Sequence, residues 1–283
     1  MKEQTAQELA RHYLKECKTM TVMRYGSLLI FLFLLVSFWS KLNIIFAGIL
    51  VSLFYLSLRF LRNMKRQQLT MVQNILWEDC DPDRYAAVME LLAAESKQDK
   101  PFFNLCRIQG LCAAGRMQEA AHALDLVYIQ RADLGIQLLY LRCAFDSHLF
   151  LGELETARRL RQETADLIQK NRPGQQPAIQ RVLRMMDASL ALAEHRWEES
   201  RALETQIYDE TFNPYQLASS AYRLGRAELA DGEIESGKAH LQEAASKGGL
   251  LYAAAEAKRL LESAPPAPSG IPAEDGGASE SQL

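Results

Sequence analysis

Residues 25–58 read YGSLLIFLFLLVSFWS (25–40), then Lys41, then LNIIFAGILVSLFYLSL (42–58). Two apolar blocks back to back suit a bilayer, because a helix must offer roughly 20 apolar residues to cross a hydrocarbon core about 30 Å thick. At a rise of about 1.5 Å per residue, each block covers about 24–26 Å. Arg24 and Arg59 flank the pair, and their long side chains can reach back to the headgroups. Phe38 and Trp39 fall where the first span should leave the membrane, and Tyr25 and Tyr55 fall near the opposite face, where aromatic rings are favoured.

The flanking charges set an orientation. Lys2, Arg11, Lys15, Lys18 and Arg24 precede the first block; Arg59, Arg62, Lys65 and Arg66 follow the second; only Lys41 lies between. The positive-inside rule then places both termini in the cytoplasm and a short loop, Ser40 to Asn43, outside. The expected location is the plasma (inner) membrane of a bacterial type, crossed twice. A cleaved signal peptide fits less well, since Phe38, Trp39 and Lys41 follow the core where a small-residue cleavage site is needed. A one-sided re-entrant hairpin would also keep both ends cytoplasmic. Gly48 and Ser52 form a small-xxx-small pair. Packing against the first span is the plainer role for them, and homodimerisation the other. Neither block holds an ionisable residue, which argues against a proton or ion pathway.

Outside the blocks the chain is rich in Ala, Leu, Glu, Gln and Arg, all good helix formers. No alternating strand pattern or Asn-Gly hairpin turn occurs. The net charge of −3 argues against nucleic-acid binding. The five cysteines, Cys17, Cys80, Cys106, Cys112 and Cys143, have no metal-binding spacing and read as small core residues. From Ser263 the chain turns to SAPPAPSGIPAEDGGASESQL, the composition of a disordered tail.

Between Leu61 and Glu262 the sequence predicts a row of helices. Asp81 caps one helix and Pro82 suits its first turn; Pro101 opens another. Breaks fall at Arg131–Asp133, Asn171–Pro177, Asn213–Pro214 and Lys247–Gly249. Four segments share one shape: GLCAAGRMQEAAHAL, HLFLGELETARRL, ALAEHRWEESRAL and AELADGEIESGKAHL. Their turn residues, Gly115, Gly152, His195 and Gly232, are 37, 43 and 37 residues apart. Five positions on come Ala120, Ala157, Ser200 and Gly237. Two antiparallel helices joined tightly need a turn residue tolerant of left-handed geometry and small residues where the backbones meet.

These segments resemble tetratricopeptide repeats. Leu224-Gly225 match that family's first-helix Leu-Gly, Gly232 its turn, and Gly237, Leu241 and Ala244 its small-large-small second helix. Ala120, Leu124 and Val127 repeat that second-helix pattern. The spacing is longer than the family's, the first-helix Trp is missing, and His195 and Ser200 depart from it in the third segment. The resemblance covers residues 98–262 and implies an α-solenoid with Leu250–Leu261 as its capping helix.

The expected architecture is thus all-α. Residues 1–24 form an amphipathic cytoplasmic helix, 25–60 a two-helix transmembrane hairpin, 61–97 a connecting helical pair or degenerate repeat, 98–262 the solenoid, and 263–283 the tail. With no Pro or Gly between Leu50 and Trp77, one long helix should run from the second block into the solenoid.

No motif for catalysis appears: there is no GxSxG, P-loop or GxGxxG, and adjacent acids such as Glu198-Glu199 diverge on a helix. None of His12, His122, His148, His195 and His240 has a second ligand one helical turn away. No enzyme activity, metal or cofactor is therefore expected. In the family's register a groove would be lined by Leu105, Gln109, Arg142, Asp146, Met185, Ser189, Tyr222 and Arg226. Of these, Gln109, Arg142, Asp146, Tyr222 and Arg226 are the candidate peptide-binding residues. Some family members grip a terminal carboxylate with Lys and Asn; here Arg142 and Arg226 could pair a carboxylate, without the matching asparagines. The functional expectation is a membrane-anchored protein–protein interaction scaffold that presents this groove to the cytoplasm. The alternative is an accessory subunit of an oligomeric membrane complex, assembled through the hairpin.

Overall fold

The computed structural model describes residues 4–37, 44–96, 99–129, 132–171, 177–211 and 213–263. The protein is all-helical. In chain order the helices are α1 (Ala6–Ser37), α2 (Ile44–Trp77), α3 (Pro82–Glu95), α4 (Lys100–Ala113), α5 (Met117–Leu124), α6 (Leu134–Phe150), α7 (Leu154–Asn171), α8 (Pro177–Ala193), α9 (Trp197–Asp209), α10 (Pro214–Ala230), α11 (Ile234–Lys247) and α12 (Tyr252–Ser263). The expected membrane loop with Phe38, Trp39 and Lys41, and the tail beyond Ser263, lie outside the described residues.

The starts of the helices follow from side-chain caps. Asp81 accepts from the Arg84 amide at 3.0 Å, Asp133 from Ile136 at 3.0 Å, and Asn213 from Gln216 at 2.9 Å. Each cap satisfies an amide that has no partner inside its helix. Proline occupies the first turn of α3, α4 and α10, where no backbone donor is needed.

The four aligned turns share one backbone geometry. Gly115, Gly152, His195 and Gly232 all have positive φ, at 78°, 80°, 60° and 91°. After each, an amide reaches back to close the helix end: Arg116 to the Leu111 carbonyl, Glu153 to His148, Arg196 to Ala191, and Glu233 to Glu228. This is the wide hydrogen bond of a Schellman cap. The small residues five positions on, Ala120, Ala157, Ser200 and Gly237, are all buried. Ser200 donates to the Ala188 carbonyl at 3.0 Å, so its hydroxyl joins the two helices of its pair. In the last pair, a Cβ on Gly225 would stand 2.8 Å from the Gly237 carbonyl, so the two glycines allow α10 and α11 to touch.

His195 is the one turn residue of the four that pays for its conformation in side-chain sterics, at roughly 1–2 kcal/mol for an L-residue in left-handed geometry. Its ring is exposed and meets Trp197 edge-on at 4.7 Å. His195→Gly should therefore stabilise the protein by up to ~1 kcal/mol in urea unfolding. A loss of stability would show that the Trp197 contact outweighs the backbone.

Successive pairs are also tied by a repeated ion pair. Arg158 and Arg201 each follow the small residue of their second helix, and each reaches the acid just before the next turn. Arg158 meets Glu194 at 2.7 Å and Arg201 meets Asp231 at 3.1 Å. Exposed pairs of this kind contribute little stability, so their effect is on register between neighbours.

The uninterrupted helix expected from Leu50 to Trp77 is present as part of α2. The boundaries at 24/25 and 60/61 fall inside continuous helices. The amphipathic segment and the first apolar block form one helix of 32 residues, and the second block runs without interruption to Trp77 in a helix of 34. One end of each helix belongs to the helical body. Leu9, Ala10 and Tyr13 of α1 and Val72, Ile75 and Leu76 of α2 share a core with Tyr85, Val88, Met89, Leu92 and Phe103. Tyr13 meets Phe103 edge-on at 6.0 Å. Farther along, Phe31 stacks on Phe54 at 4.6 Å, while Leu29, Phe33, Val36, Val51 and Leu56 are exposed. Among the described residues one helix, α1, is long and apolar enough to cross a membrane.

The row of helical pairs closes on itself. Ala218 of α10 and Leu251, just before α12, are buried in the same core as Leu76, Cys80 and Tyr85. The Leu250 amide donates to the Cys80 carbonyl at 3.0 Å. Gly249, at φ +52°, lies so close that a Cβ would stand 3.0 Å from the Cys80 Cβ. Tyr252 then lies over the turn at Gly115 and meets Phe150 edge-on at 5.9 Å. The last helices therefore seat against the α2–α3 junction and the ends of α4 and α6.

Candidate functional site at the inner seam

Leu105 and Tyr222 of the expected groove are packed into the hydrophobic clusters of the body. Leu105 is fully buried in the core, and Ser189 and Tyr222 are 9% and 8% exposed. These three side chains are packed in the body. Gln109 and Met185 are half-buried, and Arg226 is exposed. Arg142 Nε donates to Asp146 Oδ2 at 2.8 Å, one helical turn away, and its guanidinium lies 5.7 Å from the Phe145 ring centre. Arg226 lies over the Tyr222 ring at 5.6 Å. The candidate residues are thus brought together as two pairs, one on α6 and one on α10. The α6 cation already has a carboxylate, so it presents a neutralised pair.

The strongest polar feature lies beside them and was missed from the sequence. Arg223 of α10 donates through Nε to Glu204 of α9 at 2.6 Å; the Glu204 side chain has no exposure and that of Arg223 has 16%. Arg142 and Arg181 also act on the Glu204 charge, and Asp146 acts on Arg223. Helices α6, α8, α9 and α10 therefore contribute to one electrostatic group. Its hydrogen bonding is incomplete: Glu204 Oε2 and Arg142 Nη1 are buried without a hydrogen-bond partner. Burial pushes the Glu204 carboxyl above its ordinary value, and the Arg223 charge only partly offsets this. Burial dominates at Glu204 because the carboxylate is wholly enclosed while the guanidinium keeps some solvent. Tyr215, at the start of α10, is raised first by burial and then by Asp146.

The register explains why this pair is unusual. Nine residues before the four turn positions stand Cys106, Cys143, Met186 and Arg223. The first three are buried apolar residues. Nine residues after the turns stand Leu124, Arg161, Glu204 and Leu241. Leu124 and Leu241 are buried, while Arg161 forks onto Asp187 at 2.6 and 2.8 Å near the surface. Arg223 and Glu204 thus put a salt bridge where the other pairs put sulfur and hydrocarbon. The aligned turns hold that signal, but only if the first-helix position is compared across segments.

Other chemistry-bearing residues are dispersed. His240 Nδ1 lies 2.6 Å from Glu228, and His148 Nδ1 lies 2.7 Å from Glu153. Among the described residues no group of three His, Cys, Asp or Glu side chains could hold a metal ion. Cys80, Cys106 and Cys143 are buried and Cys17 and Cys112 half-buried, and none of the five is in a disulfide. Burial pushes the Cys106 thiol up to about 12, far from a reactive thiolate.

Compared with known proteins, the chain matches no family model, no curated protein and no solved structure.

Proposed function

We propose that this chain is a membrane-anchored helical scaffold. In this reading α1 and the first half of α2 form a transmembrane hairpin, both termini are cytoplasmic, and the pairs from α4 to α12 form a tetratricopeptide-like solenoid that binds a protein or peptide. The observation that carries it is the continuity of α1 and α2. Each has an exposed apolar stretch at one end and core residues of the body at the other. An anchor alone would not need to share its helices with the domain it holds. The reading assigns the chain no reaction and no cofactor. With the inner seam packed, docking falls to the exposed ends of the inner helices, around Arg226 and Gln109, and to the outer surface.

One observation favours the second reading, an accessory subunit assembled through its apolar helices. Gly48 and Ser52 do not serve the α1–α2 contact: both are exposed, and a Cβ at Gly48 would meet nothing within 4 Å. The Ser52 hydroxyl satisfies itself on the Gly48 carbonyl at 2.8 Å, which leaves a smooth face for another helix.

Photo-crosslinking of the full chain in native membranes separates the two. Probes at Gln109 and Arg226 should give protein adducts if the body is the docking element. Adducts confined to a probe at Gly48 would favour the subunit reading. Release of the chain by alkaline carbonate would overturn both.

A further inference from the structure

A groove of about 710 Å³ lies beside α1, lined by Arg11, Leu14, Lys15, Lys18, Thr19, Val22, Met23 and Glu95. Its composition has a direction. Arg11, Lys15 and Lys18 lie along the part of α1 nearer the body. Val22 and Met23, 71% and 50% exposed, lie at the other end, next to the exposed apolar surface that begins at Tyr25. At about 1.5 Å per residue, Lys18 is about 10 Å along the helix from Tyr25. That distance matches the depth over which an anionic membrane surface attracts cations, about one Debye length.

Among the described residues, none of Arg11, Lys15 and Lys18 has an ion-pair partner. Lys65 of α2, by comparison, meets Asp99 at 3.2 Å. Glu95, at the end of α3, is the one carboxylate on the groove, so the lining keeps an excess of positive charge.

We propose that this groove binds one anionic phospholipid from the leaflet facing the helical body. This rests on the membrane reading above. The phosphate and an acidic headgroup sit between Lys15 and Lys18, with Arg11 beyond them, and the start of an acyl chain lies along Val22 and Met23. Charge complementarity selects the headgroup, and the apolar end selects a lipid over a soluble phosphate. Glu95 disfavours a second anion deeper in the groove.

The test is native mass spectrometry of the full, delipidated chain in neutral detergent, titrated with palmitoyl-oleoyl phosphatidylglycerol or phosphatidylcholine. The wild type should prefer phosphatidylglycerol, and Lys15→Glu with Lys18→Glu should reduce that preference about tenfold. Arg62→Glu with Arg66→Glu on α2 should leave it intact. Equal binding of the two lipids by the wild type, an equal effect of the two double variants, or displacement by millimolar glycerol phosphate would each overturn the site. Carbonate extraction of the same proteins from membranes keeps the two readings apart. A carbonate-resistant chain without lipid preference loses only the lipid site, whereas a carbonate-soluble chain loses the anchor and the lipid site with it.

Discussion

Arg223→Ala should lower the unfolding free energy by about 3–5 kcal/mol, the usual cost of leaving one partner of a buried ion pair alone. The variant strands Glu204, whose side chain has no exposure and whose second oxygen already has no hydrogen bond. Replacing both partners should behave very differently. Arg223→Met with Glu204→Leu installs the residue types that the register places at Met186 and at Leu124 and Leu241. A buried ion pair exchanged for packed hydrocarbon is commonly neutral or stabilising by about 1–4 kcal/mol. Urea unfolding of the single and double variants checks this. If the double variant is as unstable as the single, the pair is integral to the closed arrangement and the register argument fails.

The same pair carries a pH dependence. The folded Glu204 carboxyl lies above its ordinary value of 4.5, so the folded state holds that proton more tightly than the unfolded chain. Its stabilising contribution is full below about pH 4.5 and fades as pH rises through the folded value. Glu204→Gln removes this term. The stability of the wild type relative to Glu204→Gln should therefore fall as pH rises from 4.5 toward neutrality; a flat difference would mean that Arg223 fully offsets burial.

Leu251→Ala should cost about 2–5 kcal/mol, and the damage should appear far away in sequence. Leu251 is 1% exposed and packs in one core with α2, α3 and α4. In an open row of helical pairs, each pair depends on its neighbours, and a lesion near the C-terminus loosens only the end. Here the C-terminal elements close on the α2–α3 junction, with the Leu250 amide on the Cys80 carbonyl. Loosening that seam should expose Cys80, which is 2% exposed in the closed form. Maleimide labelling followed by peptide mapping should show Cys80 protected in the wild type and modified in the variant, with Cys143 still protected. Cys80 protected in both would mean that the junction holds without the last helices.

Local features were the most legible in the sequence. The cap at Asp81, the break at Asn213–Pro214, the prolines at helix starts, and the four turns follow from rules that act over five or six residues. The turn at His195 was legible through its neighbours, because Ser200 keeps the small-residue position even where the glycine is gone. What the sequence did not reveal was closure. Whether Leu105 lines a groove or fills a core depends on Leu124, Phe145, Leu160 and Met186 of the helices that follow, and no local pattern carries that information. A solenoid register predicts which positions share a face. It does not predict whether that face remains open. The limits at 24/25 and 60/61 follow a change in composition, and α1 and α2 run through them without a break.

The continuity of α1 and α2 has a mechanical side. A flexible tether would leave the body free to turn above a membrane. In the proposed membrane arrangement two unbroken helices would fix its azimuth instead. Each residue of an α-helix advances the chain by about 1.5 Å and turns it by about 100°. One residue deleted from each of the two helices, between its apolar stretch and its core residues, would present a different side of the body to the same neighbours while barely changing its height. In the proposed membrane arrangement, angle about the membrane normal would be a heritable property, set by the count of residues along the helices rather than by their chemistry.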